Sequence, residues 1–559
     1  MVFSKYEKHL AFLFIVTFFF RFFSVTGQVA YIPPEKPKLI VSIIVEQLRY
    51  DQIEKLKNRF GEDGIRRLIN EGTTFKNANF NYVLTQSSTG HATIASGTEP
   101  SFHGIISDYW YVPLKNEIIY CTQDKEVGPV GGSYEQGLHS PAQLLTSTFS
   151  DELALATKGK ARIFSVGLKE SSAILSAGHA ANGVFWFDNT TGTWMSSSWY
   201  MKELPAWVND FNAMKLSETY LNNIWSPLRE KEVYSDFLPD SNSFEAGFGG
   251  ICWFPYDLKK MRSKGIPDGM KDYYLIRETP FGNSFTKDFA IRLIKEEALG
   301  QDDITDFLSV CFSANDYIGH RFGPSSVEAA DAILRLDADI AELIKFLNET
   351  IGKKNVLVYL TASHGVSEIP AVLESNRIPS GYFRPNQAMQ LLRLYLNAVF
   401  GQGEWVKGYW QNQVFLNRTL IEDARISLDE MQKKVARFLV QHSGVAAAFP
   451  LSVFEANEFI SGSLPDKASN NYIPQRSGDV LIVLSPGWVE KSDNRVTDHN
   501  SHYDYDTHVP LIWYGWTVNR ATVTRKVNMT DIAPTLSVMC GIPLPNACTG
   551  EPINELVIR

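Results

Sequence analysis

Only five cysteines stand in 559 residues, at 121, 252, 311, 540 and 548, and no two form a Cys-x-x-Cys pair. That spacing argues against a thiolate zinc site. Cys540 and Cys548 flank Gly-Ile-Pro-Leu-Pro-Asn-Ala and could pair in an oxidising compartment. Positive charge is scarce as well: 53 Lys and Arg against 62 Asp and Glu leave a net charge of −9. A chain this acidic has no electrostatic footprint for nucleic acid. An anionic substrate must be held by local charges, and a metal ion is the natural candidate. Repeats and low-complexity tracts are missing, and beyond the N-terminus no apolar run is long enough to span a bilayer.

The N-terminus is apolar. Lys5 and Lys8 precede the run Leu10 to Phe20, and the small residues Ser24 to Gly27 follow. This pattern predicts a signal peptide over residues 1–27, cleaved after Gly27. The run is short for a transmembrane helix, so the mature chain is expected to be secreted or periplasmic, with no stable membrane span. Cleavage removes three positive charges and Glu7, leaving −11. Hydrophobic residues at 44% and charged residues at 21% fit a globular chain with a full core.

Continuous aliphatic and β-branched runs recur at Lys38–Glu46, Ala161–Leu168, Asp306–Ser313, Asn355–Thr361, Asp479–Ser485 and Val509–Tyr514. Such runs are strands buried on both faces, as in a parallel sheet. Helical patterns lie between them: Tyr50–Glu71 ending at Gly72, Thr89–Ser96, Pro141–Leu155, a long helix behind a Ser325/Glu328 capping box, and Met529–Met539. The expected fold is α/β, a three-layer αβα sandwich with a mostly parallel central sheet of at least five strands. Residues 28–559 read as a single domain. Two insertions are expected to cover the active-site edge: an irregular, aromatic-rich one at about 173–280, and a small α+β appendage at about 373–471.

Chemistry concentrates at the strand ends. The stretch Thr85–Gly97 reads as a loop turning into a helix behind Ser87. A helix N-terminus offers unpaired N–H groups and partial positive charge, which suit an alkoxide or a phosphate oxygen. Taken alone, it is an ordinary Ser/Thr cap. Glu46, Asp316, His320, His364, Asp506 and His508 all lie just past buried strands or in an Asp/His-rich loop. Carboxylate and imidazole are the usual zinc ligands without cysteine. Asp316 and His320, four apart, converge on one ion if their segment is helical.

Seven segments together point to a family: VEQLRYD (45–51), the NYVLTQSSTGHATIASG run, FWFDNTTG (185–192), NDYIGHRFGP (315–324), LTASHG (360–365), YDTHVP (505–510) and NACTGEPI (546–553). They resemble the alkaline phosphatase superfamily, most closely the phosphate-irrepressible bacterial alkaline phosphatases, over roughly residues 37–559. The resemblance implies zinc-dependent hydrolysis of a small phosphomonoester or phosphodiester through a covalent phospho-serine. It implies two zinc ions about 4 Å apart. One would be held by Asp316, His320 and His508, the other by Glu46, the Ser87 oxygen, position 363 and His364. Ser87 would be the nucleophile, with Asp108 and Lys169 in the phosphate pocket.

The chain also departs from that pattern. Glu46 stands where the family has Asp, one methylene longer, although zinc–oxygen distances are held to about 0.2 Å. Ser363 stands for Asp, Ser171 for Arg, and Asp108 for Asn. These changes open an alternative: a catalytically degenerate relative that keeps one zinc site and acts in ligand binding or as an envelope partner.

Overall fold

The computed structural model describes residues 36–113, 115–263, 273–456, 459–492 and 495–557. The signal-like segment 1–27 lies outside them. Four of the expected strand runs, joined by Gly183–Asp188, form the parallel centre of the sheet, in the spatial order Val356–Ala362, Leu39–Val45, Asp306–Phe312, Ile163–Gly167, Gly183–Asp188. Leu39–Val45 is buried at every position, as a strand covered on both faces must be. His508–Gly515 runs antiparallel to Val356–Ala362, and Thr73–Asn79 antiparallel to it in turn. The full sheet counts eleven strands among the described residues. Helices flank it in two layers. One holds Ser87–Ser96, Phe149–Ala156, Glu170–Ala177 and Ile532–Cys540. The other holds Tyr50–Leu56, Ile65–Glu71, Phe281–Glu296 and Val327–Thr350. No helix among the described residues is long and apolar enough to cross a membrane.

The structure revises several expectations. The segment from 173 is not irregular at its start: Gly183–Asp188 extends the parallel sheet and Thr193–Ser197 returns antiparallel. Asp188 closes that hairpin by accepting from Thr190 N at 2.7 Å and Thr191 Oγ1 at 2.8 Å. Its aromatic density is packing: Phe185, Phe187, Trp194, Phe285 and Phe289 meet at ring distances of 4.6–5.7 Å.

Val480–Leu484 is not a core strand. It pairs with Gln413–Leu416 and Val445–Pro450 in the appendage's four-stranded sheet. A five-residue apolar run carries the same signal in either sheet. The appendage carries helices at Pro385–Phe400 and Leu428–Leu439.

The caps shift too. Ser326, not Ser325, caps Val327–Thr350 by accepting from Ala329 N at 3.0 Å, while Ser325 donates to Glu368. The helix expected from Pro141 starts only at Phe149, behind the Thr148 cap. Gly72 does follow a helix, but in extended conformation at φ −115°. Glycine is needed there because a Cβ would lie 2.1 Å from the Trp513 carbonyl oxygen. No disulfide forms between Cys540 and Cys548: the Cys548 thiol is free and turns to the Gly550 carbonyl at 3.8 Å.

Glu245 and Glu328 meet where the 173–280 segment packs on the long helix. Asn242 holds Glu245 and Tyr256 holds Glu328 at 2.6 Å, leaving one buried oxygen of each without a partner. Burial, then the facing Glu328, raises Glu245 to about 9. Burial, against the Tyr256 hydroxyl and with Asp240 and Asp331 nearby, raises Glu328 to about 8. Folded pKa values above the unfolded ones favour the protonated forms, so this site loses stability as pH rises from about 4.5 towards 8–9. Glu328→Gln is therefore expected to raise the melting temperature at pH 9 and to change it little at pH 5, as thermal denaturation at the two pH values would show.

Candidate active site

Val45, Phe312 and Ala362 are register partners across three parallel strands. The residues that follow them, Glu46, Ser313 and Ser363, therefore emerge at one sheet edge. This carboxyl edge is where open α/β sheets bind ligands. The helix Ser87–Ser96 brings its N-terminus to the same edge. It comes this close only because Gly90 has no side chain: a Cβ there would sit 2.1 Å from the Ser363 carbonyl oxygen. Gly90→Ala is expected to cost at least about 1–3 kcal/mol by overpacking, measured by chemical denaturation, and to displace Ser87.

Ser87 Oγ lies 2.9 Å from Glu46 Oε2, 3.1 Å from His364 Nε2 and 3.2 Å from Lys169 Nζ. Glu46 is fully buried. Its Oε1 accepts from Ser172 at 2.5 Å and Ser313 at 2.6 Å, with His91 Nε2 at 3.6 Å. Lys169 Nζ bridges Glu46 Oε2 at 2.5 Å and Asp316 Oδ2 at 2.6 Å. Burial opposes ionisation of all three groups, but their mutual attraction outweighs it. Glu46 and Asp316 are held well below the usual carboxylate range, and Lys169 well above the usual ammonium value.

Asp316 and His320 share the helix Ala314–Phe322, one turn apart. Asp316 Oδ1 accepts from Gln47 at 2.9 Å and has three imidazole Nε2 atoms around it: His320 at 3.1 Å, His499 at 3.7 Å and His364 at 3.9 Å. Each ring's Nδ1 faces a backbone carbonyl: His320 to Thr497 at 3.0 Å, His499 to Thr85 at 2.6 Å, His364 to Gly365 at 2.8 Å. A carbonyl can only accept, so these contacts place the ring proton on Nδ1 and turn the Nε2 lone pairs inward. Burial, then the neighbouring imidazole, pushes His499 down to about 3 and His364 well below its ordinary value. Neutral imidazole lone pairs facing a carboxylate need a cation between them. Asp316, His320 and His499 offer one atom each within 4.8 Å of one another, a spacing that fits one metal ion.

His508 is not part of this cluster. Its Nε2 meets the Lys76 carbonyl at 2.9 Å, and its ring stacks on Tyr50 at 4.5 Å. His508 begins the strand antiparallel to Thr73–Asn79, which holds it there, whereas His499 lies in the loop before it. The sequence run Asp498–His508 contains both residues, and nothing in its spacing distinguishes them.

The position 363 hydroxyl is buried and has no partner. Ser171 accepts from Tyr120 OH at 2.9 Å and does not line the cavity. A cavity of about 300 Å³ opens above Ser87. Among its described lining residues Lys169 and Arg495 carry positive charge, against Asp108, Asp316, Glu490, Asp498 and Asp506. Arg495, with its side chain 48% exposed, lies 3.6 Å from Asp498; no sequence signal singled it out. Burial raises the Asp108 carboxyl, while the Ser88 backbone N–H at 3.4 Å and Lys169 partly offset the rise.

A family profile described as type I phosphodiesterase / nucleotide pyrophosphatase matches residues 40–508. The chain belongs to this family, within the alkaline phosphatase superfamily. Relatives of this phosphodiesterase-family chain extend over nearly its whole length. A protein of Myroides odoratus named calcium-transporting ATPase is 38% identical, covering 94% of this chain and 95% of its own. Alkaline phosphatase PhoV of Synechococcus elongatus is 36% identical over 93% of each. The crystal structure of alkaline phosphatase PafA superposes with a TM-score of 0.88 at 35% identity, covering 93% of this chain and 99% of that one. The αβα architecture is thus that of an alkaline phosphatase, and the chain is a member of a phosphoester hydrolase family.

Proposed function

We propose that the chain hydrolyses phosphate esters with Ser87 as nucleophile and one divalent ion, zinc by donor type, at Asp316, His320 and His499. The observation that carries this is the Ser87 hydroxyl, at a helix N-terminus, 2.9 Å from Glu46 and 3.1 Å from His364 Nε2. The bound ion would supply a Lewis acid for a phosphoryl oxygen. Ser87 Oγ attacks phosphorus, the O–P bond to the leaving group breaks, and the Ser87 proton passes through His364 Nε2 to the departing oxygen, which leaves as the alcohol. Lys169, donating to Oγ from 3.2 Å, favours the alkoxide. Water then attacks phosphorus, the Oγ–P bond breaks, and Ser87 is regenerated with free phosphate or a monoester. The signal-like N-terminus supports a site of action outside the cytoplasm.

Diesters suit this cavity better than monoesters. Lys169 is engaged by two carboxylates and Ser171 replaces a guanidinium, so a dianion finds few cations. A missing charged contact is worth roughly 1.5–3 kcal/mol. Turnover of bis-p-nitrophenyl phosphate is expected to exceed that of p-nitrophenyl phosphate at least about tenfold in kcat/KM. Acid-quenched protein should gain the mass of one p-nitrophenyl phosphoryl group from the diester, or of one phosphoryl group from the monoester. Absence of turnover on both esters would overturn the hydrolase reading.

A further inference from the structure

We propose that one metal ion, not two, serves this active site, and that the Lys169 ammonium takes the place of the second. This rests on the Asp316/His320/His499 site proposed above. The residues at the second position do not fit a metal. A metal there would bond to Glu46, Ser87, position 363 and His364. Position 363 supplies a neutral hydroxyl, buried and unpartnered, which is not among the thiolate, imidazole and carboxylate donors that hold zinc.

Glu46 has already committed its oxygens. Its extra methylene carries Oε1 to the Ser172 and Ser313 hydroxyls at 2.5 and 2.6 Å, and only Oε2 remains on the Ser87 side. That oxygen, Asp316 Oδ2 and Ser87 Oγ surround Lys169 Nζ at 2.5, 2.6 and 3.2 Å. Three oxygens at these distances match the three donors of an ammonium, whereas zinc requires about 2.0–2.2 Å. The Tyr317 ring lies 4.9 Å from the same nitrogen and adds a cation–π contact. Asp316 thus divides its carboxylate, with Oδ1 towards the imidazoles of the metal site and Oδ2 towards the ammonium. One positive charge replaces two, in keeping with the lost carboxylate at 363. The nucleophile keeps a cation beside it without a second ion.

The experiment is native mass spectrometry of the full-length mature protein after zinc loading and desalting, with elemental analysis as a cross-check. One zinc per chain is expected, lost in His499→Ala. The Lys169→Ala/Ser363→Asp double variant is expected to bind two, because it removes the ammonium and restores the carboxylate. Two zincs in the unmodified protein would overturn the inference and leave the hydrolase reading standing. If one of those two were then lost in Asp506→Asn, the buried Asp506, whose Oδ1 has no partner, would be the ligand that completes the second site. No zinc at all would overturn the metal site of the proposed function and this inference with it. A folded double variant that still binds one would also overturn the inference, since the place held by Lys169 would then not be a cation site.

Discussion

Ser87→Ala is expected to lower hydrolysis at least about 10⁴-fold, the scale seen when a nucleophile acting within a coupled unit is removed. The Ser87 oxygen is the common neighbour of Glu46, His364 and Lys169. None of those residues offers a substitute nucleophile at the helix N-terminus. Metal content should be unchanged, because Asp316, His320 and His499 do not depend on the hydroxyl. Fold stability should change by about 1–2 kcal/mol at most, since the hydroxyl lines a cavity where water can take its place beside Glu46, His364 and Lys169. The phosphoryl adduct in acid-quenched protein should vanish with the activity. Turnover that persists in Ser87→Ala would mean that water is activated directly, and a chain with no turnover before or after the change would be a ligand-binding relative.

His499→Ala and His508→Ala form the second large contrast. The first removes one of the three proposed metal ligands, Asp316, His320 and His499. Supporting residues alone are worth 10–100-fold in metal affinity, so loss of a direct ligand should weaken binding by about 10²-fold or more, and turnover should fall with it. His508→Ala removes a stack on Tyr50 and a contact to the Lys76 carbonyl. Its expected cost is about 0.5–1.5 kcal/mol of stability, with metal content and turnover within about twofold of the unmodified protein. Isothermal titration with zinc on both variants checks the pair. Equal losses in the two would return His508 to the site.

The two histidines also show where reading a sequence stops. Residues that end buried strands were legible, because parallel strands in register must deliver their next residues to one edge. Glu46, Asp316 and His364 stand out this way, and Ser87 by the helix that follows its loop. His499 follows no buried strand. It sits in a loop with Asp498, His502, Asp504, Asp506 and His508, and loop spacing has no period to say which side chain turns inward. The run Asp479–Ser485 is ambiguous for a related reason: a short apolar strand does not state which sheet it joins.

What the sequence determined by itself is the α/β architecture, the edge at which chemistry gathers, and the family, against whose implied pattern positions 46, 171 and 363 depart. Each follows from local residue type and order. What only the tertiary structure decided is how charges meet across elements distant in sequence. Lys169 is 123 residues from Glu46 and 147 from Asp316. Its ammonium, free to meet a phosphate in the linear reading, is drawn instead between two buried carboxylates. Opposite charges brought together out of water attract far more strongly than the same charges in solvent, and only the folded chain brings them together.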